Sequence, residues 1–386
     1  MKVGMMVRTL DDRDGPGVAN QNLIDKMMEI DRDTAYVLFY RTNKHLGRYQ
    51  NYANVKEILV KAPNKFLWDQ VAVPYHTQRE QVDLLFHPKF TVPLFSPIPT
   101  VVMCRGLEYY TFPQFYERLD LMYVKTFIPL YYRKAIRVLT LSNDLQKQVH
   151  THLKVPFSKM ETVHSAAAEL FYPRTDPAEL ANIRQKYNLP DKFIFTVTRP
   201  YMGNKPYPRK NIDGLIKAFL SISDQHPELK LVIAGNRSQC YQYVHTVFGQ
   251  ELADDPRLIY TGWLPQADMP YLYSLAQLLA FPSYSESFGL PLVEAMASGC
   301  PVVTSTGGSC PEIVGNAALL VEPPDIAGLA QAMNRILTEP DLRQSLANRG
   351  LERARDFSWK RSAEKVINVF KNTYAATRGQ PQMSSV

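Results

Sequence analysis

Apolar residues along this chain fall in short runs rather than in one long block. Runs at 2–7, 35–40, 55–60, 83–86, 100–104 and 138–142 have the length and the Val, Ile, Leu and Phe content of buried strands. The segments between them are long enough to hold helices. A second series, at 193–198, 229–234, 258–262, 278–282, 301–305 and 317–321, repeats the pattern. Strands alternating with helices predict parallel sheets covered on both faces, so the expected fold is α/β with two doubly wound sheets. Gly15-Pro16-Gly17 reads as a loop leading into a helix over 18–30, and Tyr172-Pro173 and Asp176-Pro177 interrupt the pattern before a helix over 178–187.

The chain has 386 residues, more than one core usually holds, which agrees with two domains, 1–175 and 176–357. An amphipathic helix over 358–375 is expected to pack back on the first domain, and 376–386 reads as a frayed tail. With 45% apolar and 21% charged residues the chain has enough buryable side chain for real cores. No apolar run approaches the roughly 20 residues of a membrane span, and the first residues do not read as a signal peptide. The four cysteines show no paired spacing, so neither zinc nor a disulfide framework is indicated and a cytoplasmic setting is expected. The net charge of +7 is spread among 37 acids, which points to phosphate or a membrane surface and away from nucleic acid.

Ligands of doubly wound sheets bind outside the carboxyl ends of the strands, so chemistry is sought there. The richest stretch is Phe281-Pro-Ser-Tyr-Ser-Glu286-Ser-Phe288-Gly289-Leu290-Pro-Leu-Val-Glu294-Ala-Met-Ala-Ser-Gly299, a strand, a loop and a helix. With a helix starting near Leu290, Glu294 sits about 6 Å further along its axis, so the two carboxylates cannot share one ligand atom. They suit opposite ends of an elongated ligand, with an anion at the helix start between them. Sugar, diphosphate and ribose follow one another in that order.

These residues resemble the signature of family 4 of the retaining glycosyltransferases, enzymes of the GT-B architecture in which two Rossmann-like domains face each other across a donor cleft. Gly307-Gly308-Ser-Cys-Pro311-Glu312 and Ala317 to Pro323 look like the family's following blocks, and the likeness covers nearly the whole chain. The resemblance implies a nucleoside diphosphate sugar as donor and a saccharide or lipid-linked acceptor, with retention at the transferred carbon. It implies Glu286 beside the transferred sugar, Glu294 on the ribose hydroxyls, and Phe288, Gly289 and Leu290 along the donor. Arg199, after a strand, and Lys210, before Asn211, match its donor-phosphate cations, with Lys210 preferred over Lys205. The base would be read by variable loops near Asn236 and Gly262 to Leu264.

In the first half Gly15 and Gly17 resemble a loop that approaches acceptor or phosphate. Arg105-Gly106-Leu107-Glu108 resembles a family strand end that carries His where this chain has Arg105, which is read as a catalytic cation. Asp12-Arg13-Asp14 and Asp31-Arg32-Asp33 are read as loop acids, so no metal and no cofactor are expected. The aromatic segment 109–132, overlapped by the acid-free stretch 121–140 with Lys125, Arg133, Lys134 and Arg137, is read either as packing on the first sheet or as a contact with an anionic membrane at its inner face. The expected function is hexosyl transfer in cell-envelope or exopolysaccharide synthesis. A catalytically silent sugar-nucleotide-binding protein and an epimerase of the same fold are the alternatives.

Overall fold

A computed structural model describes residues 1–11, 15–202 and 205–378. Asp12 and Asp14, and the part of the expected tail from Gly379 onward, lie outside the described residues. The chain divides into two compact units, Met1–Ser165 with Ser358–Val386, and Ala166–Phe357. The division comes earlier than the prolines indicated, because the segment before Asp176 is already tied to the second unit. The Arg174 backbone N–H donates to Ser274 Oγ at 2.9 Å, and the Phe171 ring lies 6.1 Å from that of Tyr273. Prolines mark a local interruption, but long-range packing decides which body a segment joins.

The first unit holds a parallel sheet of β1 (Lys2–Met6), β2 (Ala35–Tyr40), β3 (Val55–Leu59), β4 (Leu84–His87), β5 (Thr100–Met103), β6 (Arg137–Thr140) and β7 (Met160–Thr162), in the order 3-2-1-4-5-6-7. Six of these match the apolar runs. The last, three residues with Glu161 at its centre, has too little period to read locally and exists because Val138 to Thr140 offers an open edge. Gly15-Pro16-Gly17 is the first turn of the helix Gly15–Ile30, not a loop before it. Proline is tolerated there because a first-turn N–H has no intrahelical partner.

The helix Trp359–Thr377 belongs to the first unit, where it packs on Gly15–Ile30. Ala363, Val366, Ile367 and Phe370 recur at helical spacing and are all buried, the Phe370 ring lying 5.2 Å from that of Phe86. Ser362 Oγ donates to the His164 carbonyl at 2.6 Å, and Lys365 pairs with Glu161 at 2.8 Å.

The second unit holds β8 (Lys192–Val197), a small hairpin of β9 (Tyr201–Met202) and β10 (Lys205–Pro206), then β11 (Leu229–Ala234), β12 (Leu258–Gly262), β13 (Leu278–Phe281), β14 (Val302–Ser305) and β15 (Ala318–Val321). Its parallel sheet runs 12-11-8-13-14-15. Phe193, Ile194 and Phe195 of β8 are buried on both faces, and Leu215, Ile216, Phe219 and Ile222 of the helix Ile212–Ser223 pack in one core with Ile194. Burying each such side chain contributes about 1.5–3 kcal/mol. Strand order reverses between β8 and β13, so the loops after these two strands flank the switch point where ligands of such sheets bind.

Candidate active site

The loop after β8 is shaped by its hairpin. Tyr207 N–H donates to the Pro200 carbonyl at 2.7 Å, closing the excursion, and Pro208–Lys210 forms one 3-10 turn. Asn211 then takes a left-handed conformation, φ 52° and ψ 42°, at the head of the helix Ile212–Ser223. The sequence did not reveal this hairpin, whose strands are two residues long. It separates the two candidate lysines: Lys205 is exposed on β10, whereas Lys210 is turned inward with its side chain 15% exposed.

Lys210 Nζ donates to Glu286 Oε1 at 2.6 Å, and Arg209 Nη1 donates to Glu286 Oε2 at 3.2 Å and to the Ser285 carbonyl at 2.7 Å. Lys210 also lies 4.4 Å from the centre of the Phe281 ring. Burial pushes the Glu286 carboxyl up, but the charges of Arg209 and Lys210 outweigh it and hold the group at about 2. Arg209 was not among the expected site residues, since an Arg beside a Lys in a loop carries no local sign of what it faces.

The backbone of Glu286 is fixed by the loop after β14. Ser309 N–H donates to the Glu286 carbonyl at 3.0 Å. A Cβ on Gly308, which sits at φ +59°, would stand 2.5 Å from that carbonyl oxygen, and one on Gly307 would stand 2.4 Å from the Tyr284 carbonyl oxygen. Only glycine lets the two loops lie this close. In the sequence this Gly-Gly pair reads only as part of a family block, not as a close approach.

Glu294 lies in the helix Leu290–Ala297, whose N-cap Gly289 is left-handed at φ 83°. The Tyr273 hydroxyl donates to Glu294 Oε2 at 3.1 Å. Burial raises the Glu294 carboxyl to about 7 against this hydrogen bond. The ring of Phe288 is buried, edge-on to Phe357 at 5.6 Å, so it packs the interior of the unit. Arg199 follows β8 at the carboxyl edge and is exposed. Asn236, Gly262 and Trp263, from the loops expected to read a base, line one open groove with Arg237, Tyr241 and Tyr260.

The first unit carries the other candidates. Arg105 follows β5 half-buried, with Nε donating to the Pro88 carbonyl at 3.3 Å. Gly106 is held by Glu108, whose carboxylate would meet an added Cβ at 2.2 Å. Gly15 is exposed, with nothing within 4 Å of an added Cβ, and Gly17 is buried in the same helix turn. Asp31 closes its own turn, accepting from Asp33 and Thr34 N–H and from the Tyr36 hydroxyl at 2.7 Å, which makes it a structural acid.

Known proteins similar to this chain identify its family and fold. The family described as glycosyl transferases group 1 matches residues 181–353. The chain is 30% identical over 298 residues to the O-antigen chain mannosyltransferase B of Escherichia coli, covering 76% of this chain and 75% of that protein. Among solved structures it is similar to sucrose-phosphate synthase from Thermosynechococcus elongatus, with TM-score 0.75, 20% identity and coverage of 97% of this chain and 100% of that one. Anabaena HepE in complex with UDP and glucose matches at TM-score 0.73 and 18% identity, covering 96% and 99% of the two chains. These structures share the fold, two Rossmann-like units of the GT-B type. From the matched span and the coverage of its E. coli relative, the chain belongs to the glycosyl transferases group 1 family.

Proposed function

We propose that this glycosyltransferase is a retaining enzyme of family 4, with Glu286 and Glu294 as its paired motif. It moves a hexosyl group from a nucleoside diphosphate sugar to a saccharide or lipid-linked acceptor in cell-envelope or exopolysaccharide synthesis. The observation that carries the reading is the buried Glu286 carboxylate bracketed by Lys210 and Arg209 beside the switch point. A buried ion cluster contributes little net stability, so a demand other than folding is the better reason for it. Lys210, Arg199 and the amide end of the helix Leu290–Ala297 offer fixed positive potential to a departing diphosphate, which accounts for charge stabilisation without a metal. Glu286 orients the sugar, Glu294 takes the ribose hydroxyls, Arg105 adds a permanent cation, and the groove at Asn236 and Trp263 takes the base. The name of the E. coli relative supports a polysaccharide product, and the UDP and glucose held by HepE support the donor class.

A thermal-shift panel of UDP, GDP, ADP and TDP and their hexose conjugates, followed by product analysis with saccharide and lipid-linked acceptors, tests the reading. A ligand at a hundred times its dissociation constant should stabilise the fold by about 2.7 kcal/mol. Binding with neither transfer nor hydrolysis would favour the silent binding protein, and an isomerised free donor would favour the epimerase.

The reading includes peripheral contact with an anionic membrane. No helix among the described residues is long and apolar enough to cross one. In the helix Arg118–Lys134, Tyr131 and Tyr132 are buried, while Leu119 is 74% and Met122 62% exposed beside exposed Lys125, Arg133 and Lys134. Phe127 of this helix meets Phe66, whose neighbours Leu67 and Val71 are also exposed. Exposed apolar side chains on a helix that carries exposed Arg118, Lys125, Arg133 and Lys134, against Glu117 and Asp120 at its start, support contact with an anionic bilayer. The protein should float with phosphatidylglycerol-containing vesicles and not with pure phosphatidylcholine, and Leu119→Asp with Met122→Asp should abolish flotation. Equal behaviour of parent and variant would remove the membrane from the reading.

A further inference from the structure

Two cations share the single carboxylate of Glu286, and they are not equivalent. Lys210 holds Oε1 through a flexible stem, by one bond of 2.6 Å. Arg209 holds Oε2, but its position does not depend on that contact. The same Nη1 donates to the Ser285 carbonyl at 2.7 Å, the Arg209 carbonyl accepts from the Tyr284 backbone N–H at 2.8 Å, and the guanidinium stands 5.5 Å from the centre of the Tyr207 ring. Arg209 is therefore built into the wall beside Glu286 by hydrogen bonds to backbone, whereas the one hydrogen bond shown for Lys210 is to Glu286, with the Phe281 ring beside it.

We infer that Arg209 is a positioning residue that holds the charge of Glu286 and so releases Lys210 to the diphosphate of the donor. The inference rests on the reading that Lys210 binds that diphosphate. A phosphate can draw Lys210 away only if the carboxylate it leaves is not stranded, because a buried charge that loses its partner is strongly unfavourable. A guanidinium that cannot deprotonate, held by its own bond to the Ser285 carbonyl on a backbone tied to Tyr284, meets this need. With Arg209 absent, Glu286 and the donor would compete for one ammonium. Arg209 would then act on nucleotide affinity through Glu286 and Lys210, without touching the nucleotide.

The test is a double-mutant cycle read by calorimetric binding of UDP and GDP, with folding checked by circular dichroism. Arg209→Gln should weaken binding of whichever nucleotide the parent takes by tenfold or more. Adding Glu286→Gln to it should restore affinity to within about threefold of the parent, since no carboxylate is left to hold Lys210. Arg209→Lys should rescue in part. A merely structural role for Arg209 would leave the double variant as weak as the single one, and that result, or parental affinity in Arg209→Gln, would overturn the inference. If Lys210→Ala binds as the parent does, the phosphate assignment itself fails, and if the parent binds no nucleoside diphosphate, the donor reading fails. Both outcomes overturn the inference and are distinguishable from a cycle without rescue.

Discussion

The Tyr273 hydroxyl donates to Glu294 Oε2 at 3.1 Å, a neutral partner for a buried acid, while Glu286 in the preceding loop meets two cations. The carboxylates therefore diverge. Burial raises both, yet Arg209 and Lys210 bring Glu286 down to about 2, whereas Tyr273 only moderates the rise of Glu294 to about 7. Near neutral pH Glu286 is an anion and Glu294 is poised between forms, which is the kind of separation that assigns two acids different work.

Glu294 should make stability depend on pH. Its folded pKa lies above the unfolded value of 4.5, so between these values the folded protein holds a proton that the unfolded chain has released. Stability from this group is present at low pH, falls as pH rises from the unfolded pKa, and levels off above about 7, a total on the order of 3 kcal/mol. Thermal melts of Glu294→Gln and the parent should agree near pH 5, with the variant several degrees more stable near pH 8. The parent should bind UDP or GDP more tightly as pH rises through 7, because ribose hydroxyls favour the ionised acid, and Glu294→Gln should lose that part of the dependence. A melting difference that is the same at both pH values would show that the carboxyl does not titrate near neutrality.

Lys210→Ala and Arg199→Ala should each weaken binding of UDP or GDP by about 1.5–3 kcal/mol, the value of a charge-assisted hydrogen bond. Glu286→Gln should instead spare nucleotide affinity and lower turnover by about a hundredfold or more, the loss typical of one preorganised electrostatic group. Calorimetry and initial rates on the same samples separate the two effects. Nucleotide affinity unchanged in both cation variants would remove them from the phosphate site.

Two glycine substitutions should behave in opposite ways. Gly308→Ala drives a Cβ to 2.5 Å from the Glu286 carbonyl oxygen at a left-handed φ, so the loop carrying Glu286 must shift. A loss of about 2–4 kcal/mol in denaturant unfolding and loss of transfer are expected. Gly15→Ala, with open space at the first turn of a helix, should change stability by no more than about 0.5 kcal/mol. If Gly15→Ala nevertheless lowers transfer, a contact of Gly15 with acceptor or phosphate gains support, and if Gly308→Ala unfolds like the parent, the close approach is not needed.

Arg105→Ala should cut transfer by about a hundredfold with little change in donor affinity. The residue follows β5 and is oriented by the Pro88 carbonyl, so its charge is held in place. Kinetics with saturating donor measure this directly. Transfer at the parental rate would make Arg105 a bystander.

Much of the fold was legible because burial leaves a period along the chain. β2, β11 and β12 coincide with their apolar runs, and Ala363, Val366, Ile367 and Phe370 mark the buried face of the last helix by their spacing alone. The loop and helix that carry Glu286 and Glu294 were legible for the same reason, since a strand end, a glycine and a helix start are local features. Tertiary structure alone decided the partners. Arg209 and Glu286 are 77 positions apart and Tyr273 and Glu294 are 21 apart, and no period of 2 or 3.6 links such residues. It also decided that Phe288 turns inward on Phe357 and that β7 forms on the open edge of β6. Local pattern records which residues leave water. Which groups meet there, and hence the charge each carboxylate holds, is set only when distant segments pack.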